Sequence, residues 1–311
     1  MLPYYHMISD EEVEHVKHLY QYKTIREFEE DMDFLLKNYS PIGLLEFLHI
    51  IKAGRPLPNK VFLLTFDDGF REMHDIVAPI LLKKGISATF FVNSAFTDNK
   101  QLCYHNKASI LAEHFLKKRT SSLEKKVFEV LQNYEILIDD MVTGILSISY
   151  RKRDLLDKIA PLLSVDFDEY LKVKKPYLTS NNIERLIENG FTIGAHSIDH
   201  PRYDSISLED QICQTLESLK FVREKYQLNY GVFAFPHSDN NVSREFFDRL
   251  YTSEKIDLSF GTAGPMNDSV SNNFQRISLE KPVVAAKNIV AYQHVRKLIK
   301  SVTGKDTIQR H

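Results

Sequence analysis

Four side chains in this 311-residue chain have the types and spacing to do chemistry: the adjacent Asp67 and Asp68 of LLTFDDGF, and His196 and His200 of GAHSIDHPRYD. Two carboxylates side by side after an apolar run repel one another, and neither is buried cheaply without a positive partner. His196 and His200 stand four apart, so on a helical turn their rings project to one side. Two imidazoles and one carboxylate make a three-ligand site with positions open to water and substrate, the donor set of a catalytic metal. A cation held there neutralises one aspartate and leaves the other ionised, ready to take a proton from water at the metal. From the residues alone, either aspartate can fill either role.

Short apolar runs must position these groups. Candidate strands are LPYYH (2–6), VFLLTF (61–66), ATFFVN (88–93), FTIGAH (191–196), GVFAFP (231–236), LSFGTA (258–263) and FQRISL (274–279). Most are continuous rather than alternating, as expected of parallel strands covered on both faces. Helical periodicity lies between them, around 25–38, 72–84, 180–189, 207–226, 242–251 and 283–300. Thr179 or Ser180 caps one of these helices, and Gly190 follows its last apolar residue. Repeated strand–helix units predict a barrel or open parallel sheet in one domain spanning 1–311. Residues 100–176 break the rhythm and read as an insertion of three or four helices. Several predicted strands run into His, Asp or Asn: His6, Asp67 and Asp68, Asn93, His196, and His237 after the fifth. In a parallel barrel those ends open on one face.

Composition narrows the classes. With 43% hydrophobic residues the chain buries a large core, and a net charge of −2 gives no reason to expect nucleic acid as a partner. The first twenty residues lack a basic start followed by an apolar stretch, and no apolar run nears the ~20 residues of a membrane span, so the expected compartment is the cytoplasm. Cys103 and Cys213 suggest no disulfide framework and are expected to be buried free thiols. Residues 281–311 carry seven Lys and Arg against one acid, Asp306, so a basic helix there is a candidate for peripheral contact with anionic lipid.

TFDDG at 65–69 and HSIDH at 196–200 resemble the first two motifs of the polysaccharide deacetylases, carbohydrate esterase family four. YH at 5–6, KKGISATFFV at 83–92 and LTSNNIERLIENGFTIGAH at 178–196 resemble the phrases around them. The likeness runs over roughly 1–100 and 177–282. It implies a distorted (β/α) barrel, here of about seven strands with a helical insertion, and one divalent metal, zinc first. It also implies hydrolysis of N-acyl or O-acyl groups on sugars. Mapped onto this chain, it makes Asp67 the base and Asp68, His196 and His200 the ligands.

Two departures stand out. Typical members place an arginine before a proline and an aromatic, whereas FAFPHSD (233–239) has Ala234 and His237 in those places. Their last motif supplies a histidine as general acid, whereas FQRISLEKP (274–282) offers Arg276 and Glu280. His237, then His6, are the candidates to protonate the leaving amine. His6, Asn93, Arg276 and Glu280 are the candidate substrate contacts. The expected substrate is an N-acetylated sugar or a nucleotide- or lipid-linked precursor of a surface polysaccharide. The alternatives are a deformylase or deacylase of another small amide, a non-haem iron oxygenase using the two His and one Asp, and an inactive carbohydrate-binding homologue. Asp67 argues against the last two, since only hydrolysis needs a second carboxylate as base.

Overall fold

The apolar runs become short parallel strands buried on both faces. The computed structural model describes residues 1–136, 139–252 and 256–311. It divides into two compact units, one of Met1–Asp10, Tyr22–Asp98 and Tyr177–His311, the other of Glu11–Gln21 and Asn99–Pro176.

The first unit is built on an eight-stranded sheet: β1 (Pro3–Tyr5), β2 (Leu64–Phe66), β3 (Ala88–Val92), β4 (Thr192–Ala195), β5 (Val232–Ala234), β6 (Leu258–Gly261), β7 (Asn273–Gln275) and β8 (Ile277–Ser278). Its order is β7-β6-β5-β4-β3-β2-β1-β8, every pair parallel. The sequence reads 274–279 as one strand and the structure makes it two. β7 pairs with β6 at one edge of the sheet, and β8 pairs with β1 at the other. A single stretch therefore spans both edges of a nearly closed barrel, and the residue between the two halves is Arg276. Its N–H donates to the Gly261 carbonyl at 3.1 Å.

Alternate strand residues face opposite ways. Phe66, Phe90, Ile193 and Phe233 pack under the outer helices, with Phe28, Met32 and Leu35 of α1 (Ile25–Asn38) and with Ile183 and Leu186 of α2 (Ser180–Glu188). Phe91, Val232, Ala234 and Phe260 instead pack with Leu44, Phe47 and Leu48 of the helix Leu44–Lys52, which the apolar pattern did not reveal. Gly194 is needed in that interior, because a Cβ there would overlap the Phe91 ring. α1 begins with a capping box formed by Thr24 and Glu27, and α2 with one formed by Thr179 and Asn182.

In the second unit, five α-helices occupy Tyr104–Lys118, Ser121–Asn133, Met141–Leu146, Asp154–Ile159 and Phe167–Lys174. That exceeds the three or four expected, since 3-10 turns around Tyr150 and Pro161 break the second half into short pieces. Residues 11–21 join this unit: Asn106 Nδ2 donates to the His15 carbonyl at 2.7 Å, and Ser109 Oγ to the Glu14 carbonyl at 2.7 Å. His15 and His18 lie in turns. Cys103 is buried, but Cys213 is exposed, contrary to expectation. No helix among the described residues is long and apolar enough to cross a membrane.

Candidate metal centre

β2 ends at Phe66 and delivers both aspartates to the C-terminal mouth of the barrel. The Asp67 N–H continues the ladder by donating to the Tyr5 carbonyl at 3.0 Å. Asp68 and Gly69 then adopt left-handed φ of 73° and 66°. For an aspartate this is unusual and for glycine easy. The turn sends the two carboxylates to different partners, which removes the repulsion that made the pair puzzling.

Asp67 goes to Arg276 in a bidentate pair, Nη1 donating to Oδ1 and Nη2 to Oδ2, both at 2.7 Å. The side chains are 0% and 1% exposed. Nη1 also donates to Thr65 Oγ1 at 3.0 Å, and the guanidinium lies 4.7 Å from the Tyr4 ring centroid. Burial alone would raise the Asp67 pKa; the charge of Arg276, with His196 behind it, outweighs burial and holds it below the usual carboxylate range.

Asp68 goes to the histidines. Its Oδ1 lies 3.3 Å from His196 Nε2 and 3.1 Å from His200 Nε2. His196 follows β4, its N–H donating to the Val92 carbonyl at 2.9 Å. Its Nδ1 faces the Ala234 carbonyl at 2.9 Å, which orients the ring and turns Nε2 toward Asp68. The spacing suggested a helical turn for His196 and His200. The structure places them instead in an irregular loop after β4, with Ser197 and His200 at left-handed φ of 69° and 63°. Ser197 Oγ accepts the His200 N–H at 3.0 Å, and Asn93 Nδ2 donates to the His196 carbonyl and to Ser197 Oγ. Strained backbone held by side-chain bonds is common where a site must be pre-organised.

Donor atoms of Asp68, His196 and His200 all lie within 4.8 Å of one another. Asp68 Oδ1 and His196 Nε2 are buried and find no hydrogen-bond partner, a costly state for polar atoms that a divalent cation relieves. One hard oxygen and two imidazole nitrogens suit zinc and related transition metals. The residues present fit the group. Burial would raise the Asp68 pKa, but the charge of His200 and the contacts with both rings bring it well below the usual range.

Around this core the other expected site residues take varied places. The His237 ring sits 4.6 Å from that of His200, and its backbone φ is 58°. His6 Nδ1 lies 2.6 Å from Glu280 Oε2, while Glu280 Oε1 accepts the backbone N–H of His6 and of Met7 at 2.9 and 2.7 Å. Burial lowers the His6 pKa, but the neighbouring Glu280 carboxylate more than reverses this and raises it to about 9. Arg276, Glu280 and Asn93 were expected to contact substrate. Arg276 has no exposed surface and Asn93 is buried, so the structure gives them to Asp67 and to the 196–200 loop; Glu280 is engaged by the 6–7 backbone. Sequence reasoning missed Ser197, Thr65 and the Ala234 carbonyl, all local structural partners without a motif.

A family model, "Polysaccharide deacetylase", matches residues 54–246. A poly-beta-1,6-N-acetyl-D-glucosamine N-deacetylase of Escherichia coli K12 is 40% identical over 43 residues, which is 14% of this chain and 6% of the relative. Among solved structures, a Streptococcus pyogenes deacetylase, PplD, in complex with acetate has a TM-score of 0.58 at 13% identity, covering 93% of this chain and 96% of that one. IcaB from Ammonifex degensii has a TM-score of 0.55 at 14% identity, covering 94% of each. These similarities show the barrel. With a family model matching well over half of its length and both family motifs converging on one site, the chain belongs to the polysaccharide deacetylase family.

Proposed function

We propose that this protein is a metal-dependent hydrolase that removes the N-acetyl group from an N-acetylated sugar. The observation that carries the reading is the division of labour between the adjacent aspartates. Asp68 joins His196 and His200 in a donor triangle, and Asp67 is kept ionised beside it by Arg276. A cofactor-free carbohydrate-binding site has no use for a second buried carboxylate held ionised next to the first.

A divalent cation held by Asp68, His196 and His200 supplies Lewis acidity, acidifying water and polarising an acyl carbonyl. The rest falls to the chain's own residues. Asp67 takes the proton from the attacking water. Arg276 keeps its carboxylate charged and fixed, the task that the family's arginine performs from the position occupied here by Ala234. Collapse of the tetrahedral intermediate expels an amine that must gain a proton. His6 is suited to hold that proton because Glu280 stabilises its imidazolium. His237 sits edge-on to His200 and is the second candidate for this proton.

The substrate class draws on the relative acting on poly-beta-1,6-N-acetyl-D-glucosamine, of which this chain matches only 6%. The test is acetate and formate release from N-acetylglucosamine oligomers and from N-acylated nucleotide sugars, by metal-loaded and metal-stripped protein. Acetate release by the loaded form alone supports the reading. Formate release in preference makes the enzyme a deformylase, and release of neither acid from any substrate overturns it.

A further inference from the structure

Helix α3 (Ala286–Val302) carries its apolar side outward. Ala286 and Val290 are buried in the barrel's outer core, and Ile289 packs against it. The opposite side presents Tyr292, Val295, Leu298, Ile299 and Val302, and Val283 stands exposed just before the helix. Their exposure runs from 55% for Val295 to 93% for Val283. These six are nearly half of the thirteen exposed large hydrophobic residues among the described part of the chain, so the patch is a concentration and not scatter. At 100° per residue, 292, 295, 299 and 302 fall along one line, with Leu298 beside them.

The helix is fixed in this pose. Asp31 Oδ1 accepts the Ala286 N–H at 2.7 Å. Buried Lys23 pairs with Asp31 and donates to the Val284 carbonyl at 3.0 Å. The outward stripe is therefore presented by a rigid element.

Charge selects its partner. No acidic residue lies between Lys281 and Lys305, while Lys281, Lys287, Lys297 and Lys305 are exposed and Arg296 borders the stripe beside Tyr292. A second copy would bring the same cations against these with no acid on the helix to pair them. Glu27 of α1 reaches the foot of the patch, accepting the Val283 N–H at 2.6 Å, but a helix whose apolar stripe is flanked by cations and which carries no acid of its own matches the interface of an anionic bilayer, where side chains enter the acyl boundary while lysines and arginines stay at the headgroups. We propose that α3 is a membrane-docking helix that binds anionic lipid surfaces through Val295, Ile299 and Val302. The helix begins shortly after Glu280, so docking tethers the protein by the segment leading from the barrel mouth.

The test is co-sedimentation of the full chain with vesicles of pure phosphatidylcholine and of phosphatidylcholine mixed with phosphatidylglycerol, at low and high salt. The expected result is binding to the anionic vesicles, weakened by salt, and little binding to neutral ones. The Val295→Ser/Ile299→Ser variant should bind at least about tenfold less, and Lys287→Glu/Arg296→Glu should lose the preference for anionic lipid. Each variant is checked for an unchanged melting temperature, since these side chains face solvent. Failure to bind anionic vesicles, binding unaffected by either variant, or equal binding to neutral vesicles overturns the proposal. So does a concentration-dependent dimer that the Val295→Ser/Ile299→Ser variant abolishes. Vesicle binding needs no turnover, so this test stands apart from that of the proposed activity.

Discussion

Arg276 grips Asp67 from the seam of the barrel. It is the residue at which one stretch of chain leaves β7 at one sheet edge and enters β8 at the other, and both of its terminal nitrogens reach Asp67 at 2.7 Å. Near-closure of the barrel and placement of the base are thus one structural event. The same geometry compensates for Ala234, since an arginine from a different strand holds the aspartate in the charged form.

Removing this pair should cost both activity and stability. Arg276→Met leaves Asp67 as a buried, unpaired charge, and breaking a buried pair in this way costs about 3–5 kcal/mol. Its carboxyl should then rise toward protonation at neutral pH and turnover should collapse. Denaturant unfolding and initial rates check both halves. A stable, active Arg276→Met protein would show that Asp67 needs no partner.

The two aspartates should separate cleanly on mutation. Asp67→Asn is expected to retain the metal and lose about 10²–10⁴-fold in kcat, the usual contribution of a positioned base. Asp68→Asn and His200→Ala should lose the metal itself. Elemental analysis of the purified variants alongside turnover separates the roles.

Much of this site is legible in the sequence, for a definite reason. Asp67, Asp68 and His196 lie within two residues of the ends of apolar strands, His200 follows in the next loop, and parallel strands open their C-terminal ends on one face. Each of the seven apolar runs overlaps a barrel strand, though several extend two or three residues beyond it and 274–279 holds two strands. Partners fixed by distance were not legible: His6 and Glu280 are far apart in sequence and meet only because β8 pairs with β1. Arg276 reads as a candidate substrate contact until the strand is seen to break at it. The His-x-x-x-His spacing suggested a helix, but Ser197 and Asn93 build a strained loop that brings both rings together by another route.

His6 and Glu280 give a pH signature. With its folded pKa raised to about 9 from an ordinary 6.5, His6 binds its proton more tightly in the folded state. Its stabilising contribution is complete below pH 6.5 and is lost as pH rises through about 9. In metal-free protein the melting temperature should fall over that window, and in His6→Gln this component should vanish. Glu280→Gln should return the His6 titration toward its ordinary range by NMR. If His6 supplies the leaving-group proton, His6→Gln should also slow amide hydrolysis far more than hydrolysis of an activated ester. Equal losses on both would leave His6 a positioning role.

Packing inside the barrel is equally testable. Gly194→Ala puts a methyl group against the Phe91 ring and close to Val232, and overpacking of this kind costs about 1–3 kcal/mol. Because Gly194 lies directly before Ala195 and His196, a displaced β4 should also weaken metal binding. A melting temperature and metal affinity equal to wild type would show that Phe91 moves aside freely.

Deacetylation should depend on a divalent metal held by Asp68, His196 and His200. The most direct measurement is acetate release from an N-acetylglucosamine oligomer by protein stripped with a chelator, its metal content verified, and then titrated with zinc. Stripped protein should release no acetate, recovery should saturate at one metal per chain, and His200→Ala should not recover. Undiminished acetate release from verified metal-free protein would contradict it.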